Sequence, residues 1–502
     1  MPFLALIFLL LQLSCSKIES LPFLPVDEGG NSCKNGIQNI VPYLSPAQRG
    51  ENKVSISGTP QTLSIMVDRK CILESSADFS HRKLLAITYN KNYKRYSSFE
   101  FHSLPTKNFN NLSKALEYFK IDSCILSVSE DKLFYPLAAL PNDPKVEDQS
   151  YLFSIAYPEV YSQAFTGSAN LKQLYTVAVI DLGFWLEHPD LQSQWWVNLD
   201  EIPSNGVDDD ANGVIDDIHG SHQATVPAGG DPSSISYQTH GTHVSGFIGA
   251  ASNNNEGISG IMGPNVKIMA INTYPKIVGG PQQGTFGSTI ANSIIYATDN
   301  GANVINISMG TEGIQPSLEE ALLYAVSKNV TVVVAAGNNS KELSDNFKFI
   351  PAYYAKNIEG VVAVAATNSA NNNVSPPICN FSNYSSSFVE IAAPGCDLNT
   401  FTSYGGHGIL SAVDSGISPS LYGFIQGTSM ASPIAAAAAM YAYATMKEYY
   451  GLIPTSAMVE DAIVNGSKIN ANLNGSVKNN KHINLKSIST YIDSKYKTEN
   501  CK

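Results

Sequence analysis

The chain has 502 residues, 43% of them hydrophobic and 15% charged, and a formal net charge of −12. That is ample apolar material for a large buried core, and at ~100–200 residues per domain it corresponds to roughly two to four domains. The acidic balance excludes the basic field of a nucleic-acid binder, so no nucleic-acid partner is expected. No heptad array or fixed-period repeat is visible, and 7 cysteines are too few to build a disulfide scaffold.

Met1–Ser16 opens the chain. Its apolar stretch Phe3–Leu11 is too short to cross a bilayer but has the length of a signal-peptide core. Residues 1–16 are therefore expected to be a signal peptide, with Ser14 and Ser16 offering the small residues of a cleavage site. Secretion, or retention in the lumen of the secretory pathway, follows as the expected localisation, and no integral membrane segment is expected further on. Residues 17–50 read as irregular. A small α+β module follows over about 53–131. Thr62–Asp68 alternates with Leu63, Ile65 and Val67 on one face of a strand. Leu112, Ala115, Leu116 and Phe119 share one face of a helix, and Ile125–Ser129 is a second strand. Tyr135–Pro144 reads as a linker.

Beyond residue 150 the pattern changes. Thr176–Ile180, Val266–Ile271, Val304–Ile307, Val330–Ala335 and Val361–Ala365 are short, β-branched, mostly apolar runs. Such runs fit strands buried on both faces. Helical patterns over Ser288–Ala297 and Ser317–Val326 lie between them, so an α/β fold with a mainly parallel sheet is expected. Sites in such sheets form at the carboxyl ends of the strands. There the sequence places Asp181, then Ser308, Met309 and Gly310, then Ala336, Gly337 and Asn338. Two further segments precede apolar helical runs: His240-Gly241-Thr242-His243, and Gly427 to Pro433 (GTSMASP).

A serine hydroxyl is a weak nucleophile until a histidine takes its proton, and that histidine needs a carboxylate to fix its tautomer and stabilise its cation. The resulting oxyanion needs preorganised donors. Ser429 at a helix start supplies its own N–H and the positive end of the helix dipole. Asn338 can supply a side-chain N–H. Singly, each residue has an ordinary reading: a strand-end cap, a structural histidine, an N-cap, a turn. Together and in this order they form a nucleophilic constellation.

The segments Val177–Leu191 (VAVIDLGFWLEHPDL), His240–Ala250 (HGTHVSGFIGA), Ala335–Asn338 (AAGN) and Gly427–Pro433 resemble those of the subtilisin-like serine peptidases, the subtilases. The resemblance runs from about Asn142 to about Ile488. It implies a three-layer fold and a serine endopeptidase acting on a protein or peptide substrate. Asp181 would orient His240, the general base, with Ser429 as nucleophile and Asn338 in the oxyanion hole. His243 falls at a second, structural histidine position. Leu182 departs from the small residue usual after the aspartate. The resemblance implies that substrate adds as a strand between Gln283-Gly284-Thr285 and Ser308-Met309-Gly310. Ser308–Gly310 and Ala335-Ala336-Gly337 would wall the primary specificity pocket. Phe349 is expected near its floor, shortening it and favouring small or polar residues before the scissile bond. Gly287, Ile290 and Met309 would line a second apolar pocket.

Asn205–Asp217 (NGVDDDANGVIDD) offers hard oxygen ligands around Gly213, as a Ca²⁺ loop requires. The expected ligands are Asn205, Asp208, Asp210, Asn212, Asp216 and Asp217. His219 stands where an EF-hand needs glutamate, so the loop is not an EF-hand. A second Ca²⁺ site implied by the resemblance would use Gln149, Asp190 and Asn254, with carbonyls of Glu256 and Ile258. Structural Ca²⁺ is the expected cofactor.

The module before the enzyme then reads as a propeptide. Residues 17–140 are expected to form an inhibitory prodomain, acting as an intramolecular partner until autolysis between about Asp131 and Asp148, with Leu137 as the best single position. Residues 141–502 would be the catalytic domain, acting as a monomer. Cys33, Cys71 and Cys124 precede the cut. Cys379 and Cys396, flanking an expected strand-turn-strand, form a plausible pair, and Cys501 is left over. Glycosylation sequons stand at Asn111, Asn329, Asn373, Asn380, Asn383, Asn465 and Asn474. Two other readings compete. A catalytically inactive peptide-binding homologue would need a broken triad. An esterase would be expected to carry a G-x-S-x-G elbow.

Overall fold

The computed structural model describes residues 62–68, 93–95, 99–105 and 125–130 as strands, and then residues 140–161, 164, 171–224, 229–233, 239–274, 284–369, 375–400 and 406–497. The signal segment, the helix around Leu112–Phe119, Leu137, Gln283, Cys15, Cys33, Cys71, Cys124, Cys501 and the sequons at Asn111 and Asn373 lie outside the described residues.

Strands β1 (Thr62–Asp68), β2 (Tyr93–Arg95), β3 (Phe99–Pro105) and β4 (Ile125–Glu130) form an antiparallel sheet ordered β2-β3-β1-β4. β1 matches the alternating run read from the sequence, and β4 the second short strand to within one residue. β2 and β3 were not anticipated.

The large sheet is built from β5 (Tyr175–Asp181), β6 (Gly220–His222), β7 (Val266–Asn272), β8 (Val304–Ile307), β10 (Thr331–Ala335), β12 (Val361–Asn368), β13 (Ile391–Cys396), β16 (Lys468–Ile469) and β17 (Lys481–His482). Its order is β16-β17-β13-β12-β10-β8-β5-β7-β6, and every pairing except β16–β17 is parallel. β9 (Thr311–Glu312) pairs with β11 (Phe349–Ile350) beside it, and β14 (Ile409–Ala412) pairs with β15 (Tyr422–Ile425). Short helices α1 (Ser150–Ser154) and α2 (Tyr157–Tyr161) lead into the sheet.

Alternate side chains of each strand point to opposite faces, and each face needs its own cover. Val177, Val179, Ile268, Val333 and Val364 pack toward α3 (Thr239–Gly249), α6 (Thr428–Tyr450), α7 (Ser456–Gly466) and α8 (Leu485–Tyr496). Ala178, Ile180, Ile305, Val334 and Ala363 pack toward α4 (Gly287–Asp299) and α5 (Pro316–Ser327). The chain is therefore a three-layer α/β structure: the apolar runs anticipated its mainly parallel sheet, and the resemblance its three layers.

Helix α6 crosses the centre of its layer. Ala435 to Ala439 are all fully buried, so small side chains let the helix lie close to its neighbours. An added methylene in such a seam costs about 1–3 kcal/mol. Gly451 ends the helix in the left-handed conformation (φ 65°), and its N–H bonds the Met446 carbonyl.

The Cys379–Cys396 disulfide is formed. Cys396 ends β13, whereas the chain at Cys379 is irregular and touches β12 through an isolated bridge at Ile378. The expected strand-turn-strand is therefore half present. Asn329, Asn380, Asn465 and Asn474 are exposed, but Asn383 is fully buried and cannot accept a glycan in the folded chain. Among the described residues no helix is long and apolar enough to cross a membrane.

Candidate active site

Three chain segments meet at the carboxyl end of the sheet. Asp181 is the last residue of β5 and is fully buried. Its Oδ1 accepts hydrogen bonds from the Leu182 N–H (2.6 Å) and from His240 Nδ1 (2.5 Å). Its Oδ2 is buried with no hydrogen-bond partner among the described residues. His240 lies in the first turn of α3, with 37% of its side chain exposed. A carboxylate on Nδ1 leaves Nε2 as the nitrogen available to a substrate or nucleophile. Enclosure disfavours the imidazolium, but the charge and hydrogen bond of Asp181 outweigh it, so the His240 pKa is raised above its ordinary value. His243, one turn on, is fully buried, and burial pushes its pKa down to about 3. It is neutral, and its Nε2 meets the Gly423 carbonyl at 3.1 Å.

Ser429 stands in the first turn of α6, where backbone N–H groups have no intrahelical acceptor. Pro433, inside the same helix, has no N–H to give the Ser429 carbonyl four residues earlier. Ser308 Oγ supplies that bond instead, at 3.0 Å, and Ser429 Oγ donates to the Ser308 carbonyl at 3.0 Å. Behind them, Ser432 Oγ donates to Asn306 Oδ1 (2.6 Å) and Asn306 Nδ2 to Ser308 Oγ (2.9 Å). A buried polar chain thus fixes the helix start against the segment after β8.

Asn338 follows β10. Its Oδ1 accepts from both the N–H and the hydroxyl of Thr428, each at 2.9 Å. A backbone N–H can only donate, so the amide orientation is set and Nδ2 carries the remaining donors. The sequence pointed to Asn338 but not to Thr428 as the residue holding it.

A cleft of about 490 Å³ runs beside Ser429. Ser308, Met309, Gly310, Ala335, Gly337, Asn338 and Phe349 line it, together with Gly284, Thr285 and Leu182. Gln315 and Leu318 also line it and were not anticipated; they come from the α5 region, which the motifs do not reach. Ala336 does not reach the cleft: it is fully buried in the core beneath the wall. Phe349 has only 9% exposure. Its ring lies against two glycines: a Cβ on Gly310 would meet it at 2.5 Å and one on Gly337 at 2.7 Å.

The acidic loop folds around its own carboxylates. Asp208 accepts the N–H groups of Asn212 and Gly213, and Asp210 accepts Asn198 Nδ2 and Asn212 Nδ2. Asp217 shares both of those amide donors. One oxygen each from Glu201, Asp208 and Asp210 lies within 4.8 Å of the others. Among the described residues no lysine or arginine pairs with the three. Glu201 lies before the motif, so loop spacing alone did not reveal it. Asn205 and Asp216 sit together instead, the Asn205 N–H donating to Asp216 Oδ1 at 3.0 Å. At the second expected site, Asp190 is fully buried and accepts Asn254 Nδ2 (2.7 Å), the Ile258 N–H (2.8 Å) and the Tyr422 hydroxyl (3.1 Å). Burial pushes its carboxyl up to about 6. Glu256 N–H bonds Asn254 Oδ1, and Gln149 pairs with the N–H and carbonyl of Ser259. The five residues therefore gather around one loop.

Comparison with known proteins adds an independent line. The model of the subtilase family matches residues 173–484. A thermophilic serine proteinase of Bacillus sp. (strain AK1) is 31% identical over 344 residues, covering 68% of this chain and 69% of that protein. Thermitase of Thermoactinomyces vulgaris is 31% identical over 299 residues, 58% of this chain and 81% of thermitase. Among solved structures, a protease of Pseudoalteromonas arctica superposes with a TM-score of 0.51 at 24% identity, and a lanthipeptide protease with 0.52 at 21%. They cover 70% and 71% of this chain and all of theirs, and they carry the fold alone. The chain belongs to the subtilase family of serine peptidases.

Proposed function

We propose that this chain is a calcium-stabilised, secreted serine endopeptidase, made as a zymogen that processes itself. The observation that carries the reading is the Asp181–His240 hydrogen bond, together with the cleft that Ser429 and Asn338 line. Ser429 Oγ attacks the scissile carbonyl carbon while His240 Nε2 takes its proton. Asn338 Nδ2 and the Ser429 N–H donate to the oxyanion. Collapse expels the amine, which receives the proton from His240 and leaves an acyl-enzyme at Ser429. Water, deprotonated by His240, then releases the acid and regenerates the serine. Cleavage of a peptide library by wild type, with product masses that place the broken bonds, tests the reading. A folded protein that binds peptides without cutting them would favour the inactive homologue instead.

Substrate is proposed to lie extended between Gly284-Thr285 and Ser308–Gly310. The Phe349 ring between Gly310 and Gly337 then fills the slot where the side chain before the scissile bond would enter. Wild type should favour glycine, alanine or serine there, and Phe349→Gly should raise kcat/KM for leucine or phenylalanine by at least about tenfold. A wild-type preference for large aromatic residues would refute this.

The oxygen-only donor set of Glu201, Asp208 and Asp210 suits Ca²⁺, whose charge would relieve their mutual repulsion. Asp190 and its loop are proposed to hold a second ion. Bound Ca²⁺ at ~100 times its Kd adds about 2.7 kcal/mol, so chelation should lower Tm by roughly 3–4 °C in a domain of about 360 residues. Glu201→Gln should lose part of that shift. Superimposable melting curves with chelator and with Ca²⁺ would exclude a structural ion.

Residues 1–16 are proposed as the signal peptide, 17–140 as the propeptide and 141–502 as the enzyme. The Asn142 N–H bonds Asn253 Oδ1, and Asp143 accepts the N–H groups of Asn253 and Asn254. The chain is thus tied into the catalytic body from Asn142, which supports a cut upstream of it.

A further inference from the structure

Asn338 is exposed, and its loop has no regular structure to hold it. Thr428 fixes its side-chain oxygen, but something must fix the backbone that carries it. One fully buried residue from a distant part of the chain meets that backbone on both sides. The Asn383 N–H donates to the Gly337 carbonyl at 2.8 Å, and Asn383 Nδ2 to the Ala336 carbonyl at 2.9 Å. Asn383 Oδ1 accepts the N–H groups of Asn339 (3.0 Å) and Lys341 (3.1 Å). All four are backbone partners with fixed donor or acceptor character, and the three that meet the side chain set the orientation of its amide. Gly337 permits the approach: at φ +100°, a Cβ there would lie 2.4 Å from Asn383 Nδ2.

Asn383 is itself held. Ser382 Oγ donates to the Asn383 carbonyl at 2.8 Å, and the Ala366 N–H donates to Ser382 Oγ at 3.0 Å. The Cys379–Cys396 disulfide anchors the same segment to the end of β13. The clamp therefore connects the oxyanion loop to the rigid central sheet.

We infer that Asn383 is a positioning residue for the oxyanion hole: it fixes residues 336–341 so that Asn338 Nδ2 meets the developing charge without reorganisation. This rests on the role proposed above for Asn338. Preorganised donors act on the transition state rather than on ground-state binding, so the effect belongs in kcat. Aspartate, serine and alanine each leave at least one of the four backbone groups without its present partner.

A double-mutant cycle on the processed enzyme tests the assignment, with kcat and KM measured for a peptide substrate and Tm measured in parallel. Asn338→Ala should lower kcat by about 10²–10³. Asn383→Ala should lower kcat by about tenfold or more, within that ceiling, with KM within about twofold of wild type. In the Asn338→Ala background, Asn383→Ala should change kcat by less than about twofold, because the donor it positions is gone. Multiplying effects, or a change in Tm and KM with kcat intact, would overturn the assignment. If Asn383→Ala does not fold, Asn383→Asp, which keeps the acceptor for Asn339 and Lys341, goes through the same cycle with the same expectations. An Asn338→Ala variant with full kcat would refute the oxyanion reading itself, and this role with it.

Discussion

Ser429→Ala is expected to lower kcat by about 10⁶, the scale of removing a nucleophile from a group that acts as a unit. The fold should survive. Ser429 Oγ donates only to the Ser308 carbonyl, while the helix start keeps the Thr428–Asn338 bonds and the reciprocal Ser308 Oγ bond to the Ser429 carbonyl. The variant should therefore melt within a few degrees of wild type, yet keep its N-terminal segment. N-terminal sequencing should place the mature wild-type start between about Asp131 and Asn142, whereas the variant should retain the residues before it. Equal N-termini would assign activation to another protease. A fully active wild type that keeps the module would refute the zymogen reading.

Asp181→Asn is expected to lower kcat by about 10⁴. The carboxamide is nearly isosteric, but it cannot stabilise the imidazolium that forms when His240 takes the serine proton. The pH profile carries the same information with a definite sign. His240 works as a base only when neutral, so activity falls as pH drops through its pKa. Asp181 raises that pKa above the ordinary 6.5, so the acid limb of the wild-type kcat/KM profile should lie above pH 6.5. Removing the carboxylate leaves enclosure unopposed, and the limb of the residual activity should move to lower pH. An unmoved limb would mean that another group governs it.

The parallel strands were legible because both faces of the sheet are covered, which leaves continuous apolar runs. Val304–Ile307 was anticipated to the residue, and helices α4 and α5 to within two residues. The candidate catalytic residues were legible because each stands beside a strand end or helix start, where local sequence signals its chemistry. What stayed hidden was set by long-range packing. Asn383 matches a glycosylation tripeptide locally, and only burial against residues 336–341 reveals its use. Glu201 joins Asp208 and Asp210 from outside the acidic motif. Ala336 sits in a lining motif but turns into the core, since alternate residues at a strand end face opposite ways. β2 is only three residues long, and β3 (FEFHSLP) alternates over only its first four, so both are defined by their partners.

The most direct test of the central claim is the mass of the active-site peptide after treatment with a fluorophosphonate. The account predicts one adduct per chain, on Ser429, with labelling slowed by orders of magnitude in His240→Ala. No adduct, an adduct on another residue, or labelling at the wild-type rate without His240 would contradict it.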